Sequence, residues 1–217
     1  MLEFLKVAID WFLHLDVHLG ELVRDYGTLT YIILFLVIFT ETGLVVMPLL
    51  PGDSLLFAAG MLASFGGLNP WLLIITLIIA AILGDTVNYH IGKFIGPKVF
   101  SDEPSTNFFL RLLKKEYLIK AQAFYEKHGG KTIIMARFVP IVRTFAPFVA
   151  GVSTMNYSKF ITYNIVGAVV WVSGLVLLGY FLAENTFVRE HFEHVVLGII
   201  AISVAPIAFE MLRPKKD

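Results

Sequence analysis

The sequence predicts an all-α polytopic membrane protein built as an inverted-topology repeat. The 217 residues are 57% hydrophobic and 16% charged, with a mean hydropathy of +0.77, whereas about 25% of a soluble domain is charged. Two apolar stretches, residues 41–60 and 136–151, are each broken by prolines and each carry two charges of one sign. A bilayer tolerates broken backbone and charge only where protein or water lines them. We therefore expect a single membrane domain over residues 1–217, with two opposed re-entrant helical hairpins and about four spans.

The first elements of the chain are an interfacial helix and the spans around the first hairpin. Residues 2–25 place apolar side chains on one stripe at helical spacing and acidic and histidine side chains on another, which predicts an amphipathic helix lying on the membrane. The apolar run of residues 29–46 is a plausible span with Glu41 inside it. A further span is expected from Pro70 to about Gly92, since proline suits a helix start.

Residues 47–66, between those spans, are expected to form the first re-entrant hairpin. Pro48 and Pro51 break the helix. Asp53 is a good N-cap for the helix that follows, which is too short to cross a bilayer. The first repeat therefore covers residues 29–96.

The second half of the chain has the same plan. A polar, amphipathic segment at residues 97–131 precedes a second repeat at residues 132–183, whose hairpin covers residues 132–155. Both hairpins end in a Phe-x-Ala-Gly string, and an apolar span follows each. A last span is expected at residues 195–212.

Lysine and arginine counts predict the orientation. Residues 97–131 carry seven of these cations, whereas the loop after residue 183 carries Arg189 alone. Because cytoplasmic loops are enriched in Lys and Arg, we expect the 97–131 segment and both termini to be cytoplasmic. The span from Pro70 then runs inward, and the two hairpins enter from opposite sides.

The charges of the two hairpins are the candidate functional residues. Arg137 and Arg143 are natural anion binders, because guanidinium groups stay charged when buried and bind phosphate oxygens in pairs. Thr144 could cap the next helix, whose N-terminus favours an anion. Glu41 and Asp53 are proton-coupling candidates, since burial and a nearby arginine act oppositely on a carboxyl group. The alternative is structural: the two acids and the two arginines merely neutralise each other.

Other polar residues carry weaker hypotheses. Asp85, Asn88 and Tyr89 could line a pathway or cap a helix end. His14 and His18 are four residues apart and could hold a metal, but the polar face of an interfacial helix explains them better. We expect no cofactor and no metal.

Several function classes are disfavoured. The chain has no cysteine and no net charge, which excludes thiol chemistry and gives no indication of a nucleic-acid partner. No nucleophile is paired with a general base, so an enzyme such as a lipid phosphatase is not expected. A proton-coupled ion or drug antiporter would use the same acids, but the paired arginines are unfavourable beside a cationic substrate.

The strings FTETGLVVMPLLPGDSLLF, GDTVNYHIGK and FYEKHGGKTIIMARFVPIVRTFAPFVAG resemble the DedA family of bacterial inner-membrane proteins over nearly the whole chain. The resemblance implies proton-dependent translocation of lipids across the cytoplasmic membrane, notably undecaprenyl phosphate, or alternatively of another phospholipid such as phosphatidylethanolamine. The family's functional acids match Glu41 and Asp53, and its functional arginines match Arg137 and Arg143. The sequence leaves open the lipid, the direction of movement, the stoichiometry and whether the protein forms homo-oligomers.

Overall fold

The computed structural model describes residues 15–44, 52–100, 129–153 and 155–186, and positions 188, 191, 194, 195 and 198 beyond them. These residues are mainly helical, and no strand occurs among them. The helices are α1 (Leu15–Tyr26), α2 (Leu29–Gly43), α3 (Gly52–Ser64), α4 (Pro70–Phe100), α5 (Lys131–Ala136), α6 (Pro140–Val152) and α7 (Tyr157–Leu182). The start of the interfacial helix, the prolines of the first hairpin, most of the 97–131 segment and most of the last span lie outside the described residues.

Two of these helices are long and apolar enough to cross a membrane. Pro70–Ile95 and Tyr157–Leu182 each contain 26 residues, which corresponds to about 39 Å of helix, more than the ~30 Å of hydrocarbon in a bilayer. Less than half of the most apolar window of each is buried. Apolar side chains therefore cover much of their exposed surface, as expected for helices that face lipid.

Asparagine caps begin both long helices. The side-chain oxygen of Asn69 accepts hydrogen bonds from the backbone N–H groups of Trp71 and Leu72, at 3.0 and 3.1 Å. Asn156 accepts one from the backbone N–H of Ser158 at 2.9 Å. The caps satisfy N–H groups that have no partner within the helix and so fix where each long helix begins.

The chain divides into two compact units. Unit 1 contains residues 1–38, 49–79 and 169–217, and unit 2 contains residues 39–48 and 80–168. Each unit therefore draws on segments from both halves of the sequence.

In unit 1, the start of α2 and the loop after α3 lie at the same end. The Thr30 hydroxyl donates to the Leu22 carbonyl at 3.2 Å, and the Asn69 backbone N–H donates to the Tyr31 hydroxyl at 2.6 Å. The end of α1 and the start of α4 therefore cannot lie on opposite sides of a membrane. The expected topology, with α1 inside and the start of the Pro70 helix outside, is wrong in this respect.

Close glycine contacts pack α3 against α7 in unit 1. Gly60 meets the Val176 carbonyl, and Gly179 meets the Phe57 carbonyl. A Cβ on either glycine would overlap the facing backbone oxygen. Only glycine allows the two backbones to approach this closely.

Unit 2 contains the same arrangement between α6 and α4. Gly151 meets the Tyr89 carbonyl, and Gly92 meets the Phe148 carbonyl. In both units, the Phe-x-Ala-Gly string of a short helix contacts a segment of a long helix that ends in glycine three residues later. The two strings that the sequence analysis paired thus make equivalent contacts.

Candidate functional site

Among the described residues of unit 2, four charged side chains are no more than 3% exposed: Glu41, Asp85, Arg137 and Arg143. They come from the end of α2, the middle of α4, the turn after α5 and the first turn of α6. Each arginine is paired with one carboxylate. Pairing is the condition under which a buried charge is tolerated, because an isolated one loses several kcal/mol or more of hydration.

The first ion pair joins the end of α2 to the first turn of α6. The Arg143 Nη2 donates to the Glu41 Oε1. Arg143 is held on α6, which begins at Pro140. Proline suits this position because its fixed φ matches the helix and its missing N–H is not needed there.

The second ion pair holds Arg137. Its Nη2 donates to the Asp85 Oδ2 at 2.5 Å and to the Asn164 Oδ1. The Asn164 side-chain amide in turn donates to the Ile82 carbonyl at 3.2 Å. One asparagine of α7 thereby links the arginine to the same helix that carries its carboxylate.

The backbone around Arg137 explains its position. α5 ends at Ala136, and Val139 is extended, with φ −123° and ψ 105°, because the residue before a proline is disfavoured in the helical region. The arginine side chain then crosses α7 at Gly167, where a Cβ would come within 2.9 Å of the Arg137 Cδ and Nε. A larger residue at position 167 would therefore displace the guanidinium.

Asn88 connects the backbones on both sides of the first ion pair. Its side-chain amide donates to the Thr42 carbonyl at 3.1 Å and to the Thr144 carbonyl at 2.8 Å. Thr42 follows Glu41, and Thr144 follows Arg143. The expectation that Thr144 caps a helix is wrong, because α6 begins four residues earlier and Thr144 lies within it.

Asp53 belongs to unit 1 and has a different partner. It lies in the first turn of α3, which begins at Gly52, rather than at the N-cap. Its Oδ1 accepts a hydrogen bond from the Trp171 Nε1 at 2.8 Å. Trp171 is thus a hydrogen-bond donor to a candidate functional acid.

Tyr89 and His18 make packing and surface contacts. The Tyr89 hydroxyl donates to the Met155 carbonyl, and its ring stacks on Phe160 with centroids 4.5 Å apart. His18 lies 3.6 Å from Glu21 on α1, and His14 lies outside the described residues. Within the described part of the chain, no group of three or more His, Cys, Asp or Glu residues could hold a metal.

Neither the role of Asn164 nor the pairing of Asp85 with Arg137 was predicted from the sequence. Asn164 is fully buried and lies in an uncharged apolar span. A polar residue in such a span indicates a contact inside the protein. The burial of Asn164 could therefore have been predicted from the sequence. The carboxylate that pairs with Arg137 lies 52 positions away in the chain. Tertiary packing brings the two together, and no local sequence pattern encodes it.

These features define the class of protein: an all-helical membrane protein with buried ion pairs. The chain belongs to the DedA family. Its residues 50–181 match the model of the VTT domain. It is 50% identical to Protein DedA of Escherichia coli (strain K12), over 99% of this chain and 97% of that protein.

Two further relatives are more distant. An uncharacterized membrane protein of Mycobacterium leprae (strain TN) is 45% identical, over 78% of this chain and 74% of that protein. Inner membrane protein YqjA of Escherichia coli (strain K12) is 31% identical, over 82% of this chain and 79% of that protein. No solved structure matches the chain.

Proposed function

We propose that the protein transports an anionic lipid phosphate, such as undecaprenyl phosphate, across the bacterial cytoplasmic membrane and couples this movement to protons. The observation that carries the proposal is the pair of buried guanidinium–carboxylate contacts in unit 2. Membership of a family of membrane proteins supports it. The activity proposed is transport rather than catalysis.

The arginines are suited to exchange one anion for another. A guanidinium donates to carboxylate and phosphate oxygens with the same planar geometry. Arg143, now bound to Glu41, would release the carboxylate when a lipid phosphate takes its place. Arg137 would provide the second cation for the same head group, while the lipid tail stays in the bilayer.

Protons would control this exchange through Glu41. A protonated carboxyl group is neutral and holds a guanidinium less strongly than a carboxylate does. Proton binding to Glu41 would therefore free Arg143 for the phosphate, and proton release would return the arginine to the carboxylate. Asp53 is assigned the same type of role within unit 1, where Trp171 is its hydrogen-bond partner.

An inverted repeat would provide the framework for alternating access. Transporters built from inverted repeats bind their substrates at broken helices near the middle of the membrane. The equivalent glycine contacts of α3 with α7 and of α6 with α4 support such a repeat. The break between α5 and α6 supports the second re-entrant hairpin.

The test is a lipid-flipping assay in proteoliposomes. A fluorescent short-chain polyprenyl phosphate is placed in one leaflet, and its arrival in the other is followed with a membrane-impermeant phosphatase. We expect the wild type to move the lipid and Arg143→Ala to move it at least about tenfold more slowly, as loss of a charged hydrogen bond predicts. Arg24→Ala is the matched control, because Arg24 pairs with Asp25 on the exposed surface of α1.

An Arg143→Ala variant that is folded and flips the lipid at the wild-type rate would overturn the assignment of the site. Folding is checked by the thermal unfolding midpoint in detergent. If the wild type fails to move any lipid phosphate above the rate of empty liposomes, the proposed substrate class is wrong.

A further inference from the structure

Asp85 and Asn88 each bury an oxygen that has no hydrogen-bond partner among the described residues. These atoms are the Asp85 Oδ1 and the Asn88 Oδ1. Both side chains are at most 1% exposed. The residues are three positions apart on α4, and such residues are neighbours on a helix, with roughly 5–6 Å between their Cβ atoms.

The orientation of both groups is fixed by their other atoms. The second oxygen of Asp85 accepts from Arg137 at 2.5 Å. The amide nitrogen of Asn88 donates to two backbone carbonyls, so its oxygen points away from them and cannot be exchanged with the nitrogen. Two buried acceptors therefore belong to neighbouring positions on one face of α4, and each costs free energy while it lacks a donor.

We propose that Asp85 and Asn88 form a proton-binding site. A proton taken from water onto the Asp85 Oδ1 converts the carboxylate into an acid, whose new hydroxyl donates to the Asn88 Oδ1. One proton then satisfies both oxygens. No other group needs to gain or lose a proton, because Arg137 keeps its own protons throughout.

The charges around the site favour a proton over a metal cation. The turn after α5 contributes Arg137, whose Nη2 lies 2.5 Å from the carboxylate, and α6 contributes Arg143. The acid on α2, Glu41, is already paired with Arg143, and α7 contributes only the neutral Asn164. A metal ion would meet an adjacent guanidinium, whereas a proton neutralises the carboxylate to which it binds.

The site would couple protons to the anion, and this role rests on the proposed function. When Asp85 is protonated, Arg137 loses the negative charge of the carboxylate to which it donates and keeps its own positive charge. A bound lipid phosphate would supply the missing negative charge beside Arg137. Proton and phosphate would thus bind together, with Arg137 as the group that links them.

An infrared difference spectrum tests the proton site without any lipid substrate. The purified protein, in nanodiscs of uncharged lipid, is compared between about pH 5.5 and about pH 8, a range in which ordinary Asp and Glu side chains stay ionised. The measurement uses a Glu41→Gln, Asp53→Asn background, because the proposed function has both of these acids binding protons, and we expect a protonated-carboxyl C=O band there at the lower pH. The band should disappear in Asp85→Asn. In Asn88→Leu it should move to higher frequency, because the acid has lost its acceptor.

Two results would overturn the proton site: a band that persists in Asp85→Asn, or an unshifted band in Asn88→Leu. Asn88→Leu retains the ion pair between Asp85 and Arg137. It therefore tests the proton site even if Asp85→Asn does not fold.

Binding of the short-chain polyprenyl phosphate tests the coupling. Its affinity for the wild type should be about tenfold higher at the lower pH. Asp85→Asn should show clearly less of this pH dependence, although Glu41 and the second ionisation of the phosphate itself still titrate in this range. A wild type that binds no lipid phosphate at either pH contradicts the proposed function, while the infrared result still decides the proton site.

Discussion

At the scale of single residues, Arg137 and Arg143 of unit 2 each donate to a carboxylate, and a buried asparagine lies near each ion pair. Asn164 accepts from Arg137 and binds α4, whereas Asn88 links the backbone next to Glu41 with the backbone next to Arg143. The asparagines restrict where the charged groups can move. A transporter of this kind would therefore exchange the partners of its arginines without large movements of the guanidinium groups.

The second ion pair predicts non-additive stability. Arg137→Gln alone should lower the free energy of unfolding by about 3–5 kcal/mol, because it leaves the Asp85 carboxylate buried without its cation. The double variant Asp85→Asn, Arg137→Gln should be clearly more stable than this single variant, since both charges are gone. Unfolding by SDS titration measures the cycle, and additive effects of the two changes would contradict the pairing.

Much of the candidate site could be predicted at this scale, but not its pairings. Charge in apolar, proline-broken stretches made Glu41, Asp53, Arg137 and Arg143 candidates, because a bilayer makes such residues costly wherever they lack a function or a partner. Asp53 lies in unit 1, and the other three lie in unit 2. The partner of Arg137 could not be predicted, because Asp85 lies 52 residues away and is brought close only by packing.

At the scale of helices, the fold depends on close backbone approach at a few glycines. The strings at residues 57–60 and 148–151 were recognised as a repeat from their letters alone. Their contacts explain why both strings end in glycine, since glycine leaves room for the backbone carbonyl of the facing helix in both units. Local patterns also predicted the helices themselves, although α4 extends beyond its expected end at Gly92 to Phe100.

Two glycines of α7 provide a matched pair of substitutions. Gly179→Leu should destabilise the protein by about 3 kcal/mol or more, because a side chain there overlaps the Phe57 carbonyl. Gly174→Leu should be neutral or slightly stabilising, since nothing lies within 4 Å of its Cβ position and leucine is the better helix former. Thermal unfolding in detergent compares them, and equal midpoints would show that the glycine contact is not needed.

At the scale of the whole molecule, the structure changes the expected topology. Charge counting places the 97–131 segment in the cytoplasm, which puts the start of α4 outside. Because Asn69 is hydrogen-bonded to Tyr31, the same charge count would place the end of α1 on the outer side as well. This contact was not predicted, because residues 29–46 were interpreted as a span independent of the loop that follows α3. In the structure, the start of α2 is hydrogen-bonded to that loop.

The absence of native cysteine makes this topology directly testable. Single cysteines at Thr28, Phe65 and Lys131, all of them exposed, are treated with a membrane-impermeant maleimide. Thr28→Cys and Phe65→Cys should react in intact cells, and Lys131→Cys only after the membrane is permeabilised. Reaction of Thr28→Cys and Phe65→Cys from opposite sides would contradict the hydrogen-bonded arrangement of unit 1.

The central claim is that the buried arginines of unit 2 bind a lipid phosphate. Native mass spectrometry of the protein purified from bacterial membranes tests it most directly. The wild type and Arg24→Ala should carry a co-purifying lipid that fragments to phosphate, and Arg143→Ala should lose most of it. Equal occupancy in the wild type and in folded Arg143→Ala, or a wild type that carries no phosphate lipid, would contradict the account.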